Sequence, residues 1–312
     1  MSEAIFAGKL RFAQHNALPY DFDKRPFNEY FAETREDISA LLSTEVEGFN
    51  NQDSLSDAKK YSLGRSGKMI RPILAHMSAE LLNVPTNDIN PFLVATEKLH
   101  NASLDIDDIQ DKAKKRRGQP TLHEAFSTDT AVLSSVSLIG AFFSKITELE
   151  GRFDASTVLN LSKYCGNKIM HLADGQNRDV AERRGTTRDM LENIARLKTG
   201  SAIEMSMVGV AILASASDET QELFKDYAHH LSLAFQTKDD ILDATNSANT
   251  GKDNGLDAQN RRATLVDLYG GVKNAHDYMD EHRISAKDSA LQFPGNPKRF
   301  LSLVDFVIYR SQ

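Results

Sequence analysis

Apolar residues recur at intervals of three and four along most of the 312-residue chain. This periodicity is typical of amphipathic α-helices, whereas the alternation typical of strands is nearly absent. It begins at Phe27, continues through Phe31 and Ile38, and is interrupted by a polar gap at residues 50–60. It then predicts helices at residues 72–83, about 90–112, 121–148, 154–182, 188–217, 218–246, 263–282 and 298–310. The sequence therefore predicts an all-α fold.

Breaks between the predicted helices are few and short, which bears on the number of domains. A chain of this length suggests two domains of about 150 residues each, but one large helical fold can exceed that size. Gly67 and Pro72 frame a helix start, because proline is tolerated in the first helical turn. We expect one helical domain at residues 28–312, preceded by a polar N-terminal arm at residues 1–27 that does not resemble a secretory signal.

Composition and charge exclude several classes of partner. The net charge of −7 and the isoelectric point near 5.7 give no general attraction to nucleic acid or to an anionic membrane. The most apolar windows, residues 131–143 and 205–216, are too short to span a bilayer, so no transmembrane segment is expected. The single cysteine, Cys165, allows no internal disulfide and fits a reducing compartment. We expect a cytoplasmic protein.

Two copies of one acidic pattern carry the strongest chemical signal. The first Asp-Asp-x-x-Asp comprises Asp107, Asp108 and Asp111, and the second comprises Asp239, Asp240 and Asp243. On a helix, residues three and four apart share a face, so each triad crowds like charges together. A solvated acidic face is the alternative interpretation of one copy. Two copies within apolar helices favour a cation site, and ligands made only of oxygen suit Mg²⁺.

Each acidic pattern has a polar companion on the same helical face. His100 precedes Asp107 by seven residues, which is about two turns of helix. Gln236 precedes Asp243 by the same interval. If the two helices face each other, six carboxylates surround one cavity and their repulsion requires several cations. Two acidic walls with Mg²⁺ between them can hold a ligand with several negative charges, such as a diphosphate.

Basic residues suited to the same anionic ligand occur at four places. Lys68 and Arg71 stand at a helix start, where free backbone N–H groups also favour anions. Adjacent Arg116 and Arg117 can bind an anion through paired N–H groups, although basic residues at a helix end also complement the helix dipole. The remaining candidates are Lys198 with Thr199, and Lys252 after Gly251.

With these motifs in place, the chain resembles the trans-isoprenyl diphosphate synthases of the polyprenyl synthetase family. The similarity runs from about Lys68 to Arg310 and rests on several motifs in the family's order and spacing. They are SGKMIRP at 66–72, LHNASLDIDDIQDKAKKRRGQPTLH at 99–123, GQNRD at 175–179, LKTGSA at 197–202, FQTKDDILD at 235–243, and GKDNGLD at 251–257 followed by Thr264. The resemblance implies a single large helical bundle of the isoprenoid synthase fold, in which the acidic motifs face each other across a deep central cavity.

The resemblance also implies roles for the candidate residues. It implies three Mg²⁺ ions, which the six aspartates of the two motifs hold on the diphosphate of an allylic substrate. It assigns Lys68, Arg71, His100 and Arg117 to isopentenyl diphosphate, Arg116, Lys198, Gln236 and Lys252 to the allylic diphosphate, and Thr199 to the neighbourhood of the developing cation. The implied reaction ionises the allylic diphosphate, joins the isopentenyl double bond to the cation and releases a proton. It makes a trans-polyprenyl diphosphate, and the family resemblance further implies a homodimer.

Product length depends on the side chains beneath the first motif, because a growing chain must run along the helices away from the diphosphate. One helical turn rises about 5.4 Å, close to one isoprene unit, so positions one to three turns before Asp107 form successive floors. Ala102 and Ser103 are small, which favours geranylgeranyl diphosphate; a longer polyprenyl diphosphate and farnesyl diphosphate are the alternatives. Deeper floors are Leu99, Thr96 and, on the facing helix, Leu138, Ile139, Phe142 and Phe143.

Three other interpretations use the same residues. A terpene cyclase also has an acidic helix and Mg²⁺, and Asp105 completes an Asp-x-Asp-Asp pattern typical of protonation-dependent cyclases. A cyclase has no second substrate, so Lys68, Arg71 and His100 would have no role in it. A catalytically silent subunit of a heteromeric synthase is expected to lose part of a motif, whereas both motifs are complete here. The third interpretation is a purely structural acidic bundle.

Overall fold

The computed structural model describes residues 26–49, 53–65, 67–181, 186–245 and 264–309. Within these ranges the chain is almost wholly helical, as the sequence predicts. The helices are α1 (Phe27–Glu47), α2 (Ser54–Gly64), α3 (Ile70–Leu81), α4 (Asn90–Asp111), α5 (Leu122–Ala125), α6 (Thr128–Thr147), α7 (Ala155–Ala181), α8 (Arg188–Ala195), α9 (Ser201–Leu213), α10 (Asp218–Ala244), α11 (Leu265–Leu268), α12 (Val272–Ala290) and α13 (Lys298–Ile308). A 3₁₀ turn at Thr86–Ile89 precedes α4, and a π-helical turn at Arg196–Gly200 joins α8 to α9. Most of the predicted N-terminal arm, residues 1–25, lies outside the described residues.

Helix α9 lies at the centre of the fold because nearly all of its residues are buried. Its apolar sequence, with Met205, Val208 and Val210, is that of a helix without a solvent face. Gly209 lets the ring of Phe92 from α4 approach the α9 backbone closely, because a β-carbon at Gly209 would overlap that ring. Helix α9 also packs against α3, α7 and α10. The two helices that carry the acidic motifs, α4 and α10, therefore share one core.

The apolar pattern predicts a polar gap without a helix at residues 50–60, and this prediction was wrong. Helix α2 begins within that segment, at Ser54. Asp53 caps the helix by accepting a hydrogen bond from the Ser56 amide at 2.7 Å. The buried face consists mainly of small residues, Ser56, Ala58 and Ser62, together with Leu63. Because these side chains are small or polar, their hydropathy does not show the periodicity from which a helix is predicted. The cap at Asp53 is the signal that could have identified it.

The helix predicted at residues 263–282 is divided in the structure. Gly270 and Gly271 have φ values of 72° and 133°, in a backbone region that ends a helix and that glycine adopts without strain. Helix α11 therefore stops at Leu268, and α12 extends to Ala290, beyond the predicted end. In the same way, Ser127 caps α6 with its side chain and separates it from the short helix α5.

A two-stranded hairpin follows α4 and was not predicted. Its strands, β1 (Lys115–Arg116) and β2 (Gln119–Pro120), pair antiparallel. The two loop residues, Arg117 and Gly118, have φ values of 56° and 77°, the left-handed geometry that suits the twist of a tight hairpin. The hairpin carries Arg116 and Arg117 beyond the end of the helix. They consequently do not serve as the last-turn residues that complement the dipole of α4.

Helices α6 and α7 direct several apolar side chains outward. Leu133 and Val136 of α6 are 58% and 61% exposed, and Leu159 and Met170 of α7 are 69% and 59% exposed. Among the described residues, α6 is the one helix long and apolar enough to cross a membrane, and 33% of its apolar window is buried. This helix contains the apolar window at residues 131–143 and extends to Thr147, within the helix predicted at 121–148. Both of these neighbouring helices thus carry exposed apolar side chains.

Candidate active site

The first acidic motif occupies the C-terminal end of α4, and its three carboxylates lie in different surroundings. Asp108 is 1% exposed, and both of its oxygens accept hydrogen bonds from Arg116 Nε, at 2.8 and 2.9 Å. Asp107 and Asp111 are partly exposed. The prediction that all three carboxylates line one cavity is therefore corrected for Asp108, which is buried and serves to hold Arg116.

Asp107 is the carboxylate on which several donors converge. Its Oδ1 accepts hydrogen bonds from Lys198 Nζ at 3.1 Å and Gln176 Nε2 at 2.9 Å. Its Oδ2 accepts one from Arg116 at 3.2 Å. Lys198 also contacts Asp179, at 2.6 Å. Two basic side chains from different parts of the chain thus lie against the first motif, in positions from which they can also contact an anionic ligand.

The second acidic motif lies near the C-terminal end of α10 and has a similar arrangement. Asp240 is 5% exposed and accepts hydrogen bonds from Gln236 Nε2 and from the Leu265 amide, both at 2.8 Å. Asp239 and Asp243 are partly exposed. Asp240 therefore fixes the start of α11 and the amide of Gln236, and like Asp108 it is turned into the protein rather than toward open space.

The π-helical turn connects the two motifs. Lys198 contacts Asp107 of α4, and the next residue, Thr199, approaches Gln236 of α10 with 3.4 Å between their side-chain oxygens. Gly175 of α7 allows the turn to lie directly against that helix, because a β-carbon at Gly175 would overlap the backbone of the turn. A π turn inserted into a helix is frequent at functional sites because it changes the direction of consecutive side chains. Here it places neighbouring residues against both acidic helices.

The charges of this first cluster are held in place by one another. Burial alone would lower the pKa of Lys198, but the carboxylates of Asp107 and Asp179 outweigh that effect and raise it. The pKa of Arg116 is likewise raised, because its contacts with Asp108 and Asp107 outweigh its burial. Both cations therefore remain charged at neutral pH, next to the carboxylates of the first motif.

A second basic cluster lies on α3, α4 and the hairpin. Arg71 NH1 donates a hydrogen bond to His100 Nε2 at 3.2 Å. Burial, with the charges of Arg71 and Arg117, lowers the pKa of His100 well below its usual value, so the imidazole is neutral. Burial also lowers the pKa of Arg71 to about 10. The carboxylates of Glu97 and Asp239 act on Arg71 in the opposite direction, so this cluster lies within reach of the second motif.

The two arginines of this second cluster have no ion pair of their own among the residues that the structure describes. Arg71 contacts His100, and Arg117 NH1 donates a hydrogen bond to the backbone carbonyl of Arg65. Gly67 lies directly against the guanidinium of Arg117, because a β-carbon at Gly67 would overlap it. Of the predicted members of this cluster, Arg71, His100 and Arg117 are thus brought together, and the backbone of Lys68, next to Gly67, lies beside them.

Asp105 lies on the buried side of its helix, near Asp108, and not on the partly exposed face of Asp107 and Asp111. It is 1% exposed and accepts hydrogen bonds from Arg65 NH2, at 2.7 Å, and from Ser62 Oγ. Burial raises its pKa to about 6, although both contacts oppose that shift. An acid that protonates a substrate must face it. The Asp-x-Asp-Asp pattern of the cyclase interpretation is therefore not assembled as a proton donor.

Ala102 and Ser103, the two small residues beneath the first motif, lie in different places. Ala102 is fully buried and packs in a small cluster with Leu63 and Leu138. Ser103 is partly exposed and lies, like His100, on the helical face of Asp107, since residues three and four apart are neighbours on a helix. Ala102, which was predicted to line the path of the product, packs instead against its neighbours, whereas Ser103 is the partly exposed residue of the two.

Several residues at the site were not predicted to act there. Gln176 and Asp179 belong to the GQNRD motif, whose presence was noted without assigning roles to its side chains. Arg65 and Glu97 gave no signal, because their importance depends on partners far away in the sequence. One predicted residue, Lys252, lies outside the described residues.

Comparison with known proteins assigns the chain to a family. Residues 52–289 match the family model described as polyprenyl synthetase. The chain is 29% identical to a geranylgeranyl diphosphate synthase of Cyanophora paradoxa over 90% of this chain and 96% of that protein. It is 32% identical to a farnesyl diphosphate synthase of Bacillus subtilis over 83% and 89% of the two chains. Among solved structures, a geranyltransferase from Legionella pneumophila gives a TM-score of 0.81 at 23% identity, covering 91% of this chain and 98% of that one.

The helical fold and these relatives define an enzyme of the isoprenoid synthase fold that transfers prenyl groups. The chain belongs to the polyprenyl synthetase family.

Proposed function

We propose that this enzyme condenses isopentenyl diphosphate with an allylic diphosphate, in a Mg²⁺-dependent reaction that yields a trans-polyprenyl diphosphate. The observation that carries the proposal is the presence of two distinct basic clusters at one acidic site. Arg116 and Lys198 are paired with the aspartates of the first motif. Arg71 and Arg117 have no such carboxylate partner among the described residues. Two substrates that each carry a diphosphate require two clusters, whereas a cyclase requires one.

The acidic residues fit Mg²⁺ as a cofactor shared with substrate. Four of the six aspartates, namely Asp107, Asp111, Asp239 and Asp243, are partly exposed and offer hard oxygen ligands. Among the described residues, no three acidic, histidine or cysteine side chains converge closely enough to hold a cation by themselves. Carboxylates spread along two helices in this way suit Mg²⁺, which commonly binds one or two carboxylates and completes its coordination shell with water and substrate phosphates. Once bound, Mg²⁺ neutralises charge on the leaving diphosphate. Three ions remain the expectation from the family resemblance.

We assign the allylic diphosphate to the first cluster. Arg116 and Lys198 are fixed by Asp108 and Asp179 at the border of the acidic walls, where they can donate to diphosphate oxygens while staying charged. Such fixed cations stabilise the negative charge that develops when the C–O bond breaks, without reorganising during the reaction. Gln236 and, outside the described residues, Lys252 complete this assignment. Asp108 and Asp240 contribute by holding Arg116 and Gln236 rather than by facing the ligand.

We assign isopentenyl diphosphate to the second cluster. Arg71 and Arg117 supply positive charge, and Lys68 lies at the start of α3 beside them. His100 is neutral, so it contributes a hydrogen bond instead of charge. With both diphosphates held in this way, the double bond of the second substrate lies within reach of the allylic cation, which removes the entropy cost of bringing two substrates together.

The chemistry beyond ionisation needs few side chains. Thr199 is 8% exposed, and its hydroxyl and the amide oxygen of Gln236 are dipoles that can stabilise the cation. The basic side chains named above are protonated, and Asp107 is held by three donors. The leaving diphosphate is consequently the acceptor that we assign to the final proton.

We propose geranylgeranyl diphosphate as the main product. Ser103 puts a small side chain on the helical face that leads away from Asp107, so the first turn offers no bulky floor. Ile139 and Phe143 of α6 are partly buried and are candidates for the floor that stops the chain deeper in the protein. A longer polyprenyl diphosphate and farnesyl diphosphate are the remaining alternatives.

We also propose that two copies of the chain form a homodimer through the exposed apolar surface of α6 and α7. Leu133, Val136, Leu159 and Met170 are each more than half exposed there, and a second copy would remove them from water. A dimer also accounts for the apolar composition of α6 without a membrane. Cytoplasmic location is proposed on the single, buried Cys165, which forms no disulfide.

The test is an assay of the purified chain with isopentenyl diphosphate and each allylic diphosphate, with and without Mg²⁺, followed by identification of the products. Asp107→Ala and Asp239→Ala should each lower turnover on the order of 10³-fold. Each variant loses a carboxylate that we assign to Mg²⁺, and Mg²⁺ would stabilise the charge of the transition state. Circular dichroism should remain helical, and Asp277→Ala on the exposed side of α12 is the control. Normal rates in both variants would refute the proposal. Consumption of allylic substrate alone would indicate a cyclase, and inactivity of the isolated chain would indicate a silent subunit.

A further inference from the structure

Arg65 and Asp105 form a buried ion pair close to the second basic cluster. Arg65 NH2 lies 2.7 Å from Asp105 Oδ1, and the two side chains are 7% and 1% exposed. Ser62 Oγ donates to the other carboxylate oxygen, so both oxygens of Asp105 have a donor. A buried ion pair contributes little to stability compared with well-packed apolar residues, because both charges lose their hydration. Its retention here needs another explanation.

The remaining contacts of Arg65 lead to the hairpin. Arg65 NH1 donates to the Pro120 carbonyl at 3.3 Å, and the Tyr61 hydroxyl donates to the same carbonyl at 2.8 Å. The backbone carbonyl of Arg65 accepts a hydrogen bond from Arg117 NH1. The guanidinium of Arg65 also lies 4.9 Å from the centre of the Tyr61 ring. Arg65 thus contacts both the turn and the second strand of the hairpin.

Arg117 is placed by these contacts, and it has no ion pair with any residue in the described part of the chain. It is a hairpin-loop residue with a φ of 56°, so its direction depends on where the hairpin lies. Its guanidinium fits against Gly67, which has no side chain to obstruct it. Because Gly67 immediately precedes Lys68, the position of the hairpin determines the spacing between these two cations.

We infer that Asp105 and Arg65 are positioning residues for the isopentenyl diphosphate site. Asp105 orients the Arg65 side chain, and Arg65 anchors the hairpin and Arg117 at the distance from Lys68 that a diphosphate requires. This inference rests on the proposed function, which assigns Arg117 to isopentenyl diphosphate. The helix of the first acidic motif already contributes His100 to that site; the inference adds that its buried face, through Asp105, supports the site as well.

The experiment measures the KM for each substrate, with the other saturating, in Arg65→Met and Asp105→Asn. Methionine keeps the length of the Arg65 side chain and removes its donors, and asparagine keeps the volume and one accepting oxygen of Asp105. We expect the KM for isopentenyl diphosphate to rise about tenfold in Arg65→Met and about threefold in Asp105→Asn, which corresponds to loss of alignment worth about 1.4 kcal/mol or less. The KM for the allylic diphosphate should change by less than about twofold.

A double-mutant cycle distinguishes positioning from general damage to the fold. Because Arg65 acts through Arg117, the variant Arg65→Met/Arg117→Met should have the same KM for isopentenyl diphosphate as Arg117→Met alone. The inference would be overturned if the KM of the double variant rose by the product of the two single increases. It would also be overturned if neither Arg65→Met nor Asp105→Asn changed the KM for isopentenyl diphosphate. The stability control is Arg299→Met, which removes another part-buried arginine, paired with Glu80 in the last turn of α3 and without a contact to the hairpin among the described residues. It should lower Tm and leave both KM values unchanged.

Two outcomes keep this inference separate from the proposed function. If the unmodified enzyme does not use isopentenyl diphosphate, the proposed function fails first. If the unmodified enzyme does use it and Arg65→Met raises both KM values equally, only the positioning role is refuted. Should Arg65→Met not fold, the cycle is run with Asp105→Asn and Arg117→Met, and the same criterion of additivity decides.

Discussion

The ammonium of Lys198 lies 3.1 Å from the Asp107 carboxylate, which joins the π-helical turn to the first acidic motif. The same ammonium lies 2.6 Å from Asp179, so it retains a carboxylate partner if Asp107 turns toward a cation. Lys198 is thus positioned between an acidic residue that can bind a cation and one that keeps the lysine in place. We expect a diphosphate to bind beside it and to replace the contact with Asp107.

Lys198→Met tests this arrangement. Methionine keeps most of the apolar length of lysine, so the packing of the π turn should survive. We expect the KM for the allylic diphosphate to rise about tenfold or more and kcat to fall, because a charge-assisted hydrogen bond contributes about 1.5–3 kcal/mol. Steady-state kinetics with each substrate varied provide the measurement. Lys163→Met, on an exposed position of α7, is the control. A larger effect on isopentenyl diphosphate would contradict the assignment of the two clusters.

Arg71→Ala tests the second cluster. Its guanidinium donates to His100 and faces no ion-pair partner among the described residues, so its charge is available to an anion. We expect the KM for isopentenyl diphosphate to rise about 10- to 100-fold, from the loss of hydrogen bonds to a charged ligand, with a much smaller change for the allylic substrate. Arg152→Ala, which removes an exposed arginine paired loosely with Asp88, is the control. Equal increases for both substrates would argue against separate sites.

Ser103→Phe should shorten the product. Ser103 is partly exposed on the face of α4 that carries Asp107, so a ring there obstructs the path of a chain growing away from the diphosphate. Ala102→Phe is the informative comparison, because Ala102 is fully buried against Leu63 and Leu138. We expect that overpacked variant to lose about 1–3 kcal/mol of stability. Chromatography of the products, with Ser103→Ala as control, decides; an unchanged product from Ser103→Phe would show that the floor lies elsewhere.

Glu97 should make the stability of the protein depend on pH. Burial raises the pKa of this carboxyl from 4.5 to about 7, although Arg71 and Arg117 act in the opposite direction. The folded protein therefore binds the proton of Glu97 more tightly than the unfolded chain does. The contribution of Glu97 to the stability of the fold is greatest below about pH 4.5 and decreases as the pH rises toward 7, by about 1.4 kcal/mol per pH unit at most.

The measurement is the free energy of unfolding in urea at several pH values for the unmodified enzyme and Glu97→Gln. The stability of the unmodified enzyme relative to the variant should decrease by about 3 kcal/mol between pH 4.5 and 7 and remain constant above that. The neighbouring arginines stay charged throughout, so they add only a constant difference. Glu281→Gln, an exposed substitution on α12, should show no such trend. A constant difference between Glu97→Gln and the unmodified enzyme would contradict the prediction.

Local patterns were predicted well, and pairings between distant segments were not. Spacing along a helix correctly placed His100, Asp107 and Asp111 on one face of α4, because neighbours on a helix are set by the sequence alone. The same spacing could not show that Asp108 binds Arg116 of the hairpin while Asp107 faces Lys198, which is 91 residues away. Helix α2 escaped prediction because its buried face consists of small residues, whose burial depends on what packs against them.

The sequence by itself determined the helical fold, the two acidic motifs and the classes of side chain that can bind a diphosphate. These properties depend on periodicity and composition, which act over a few turns of one helix. Only the tertiary structure decided which carboxylates are turned inward, that Ala102 is buried while Ser103 is partly exposed, and that Asp105 is joined to Arg65, 40 residues before it. The physical reason is that burial and ion pairing depend on contacts between helices, and several alternative partners in the same sequence satisfy the local rules equally well.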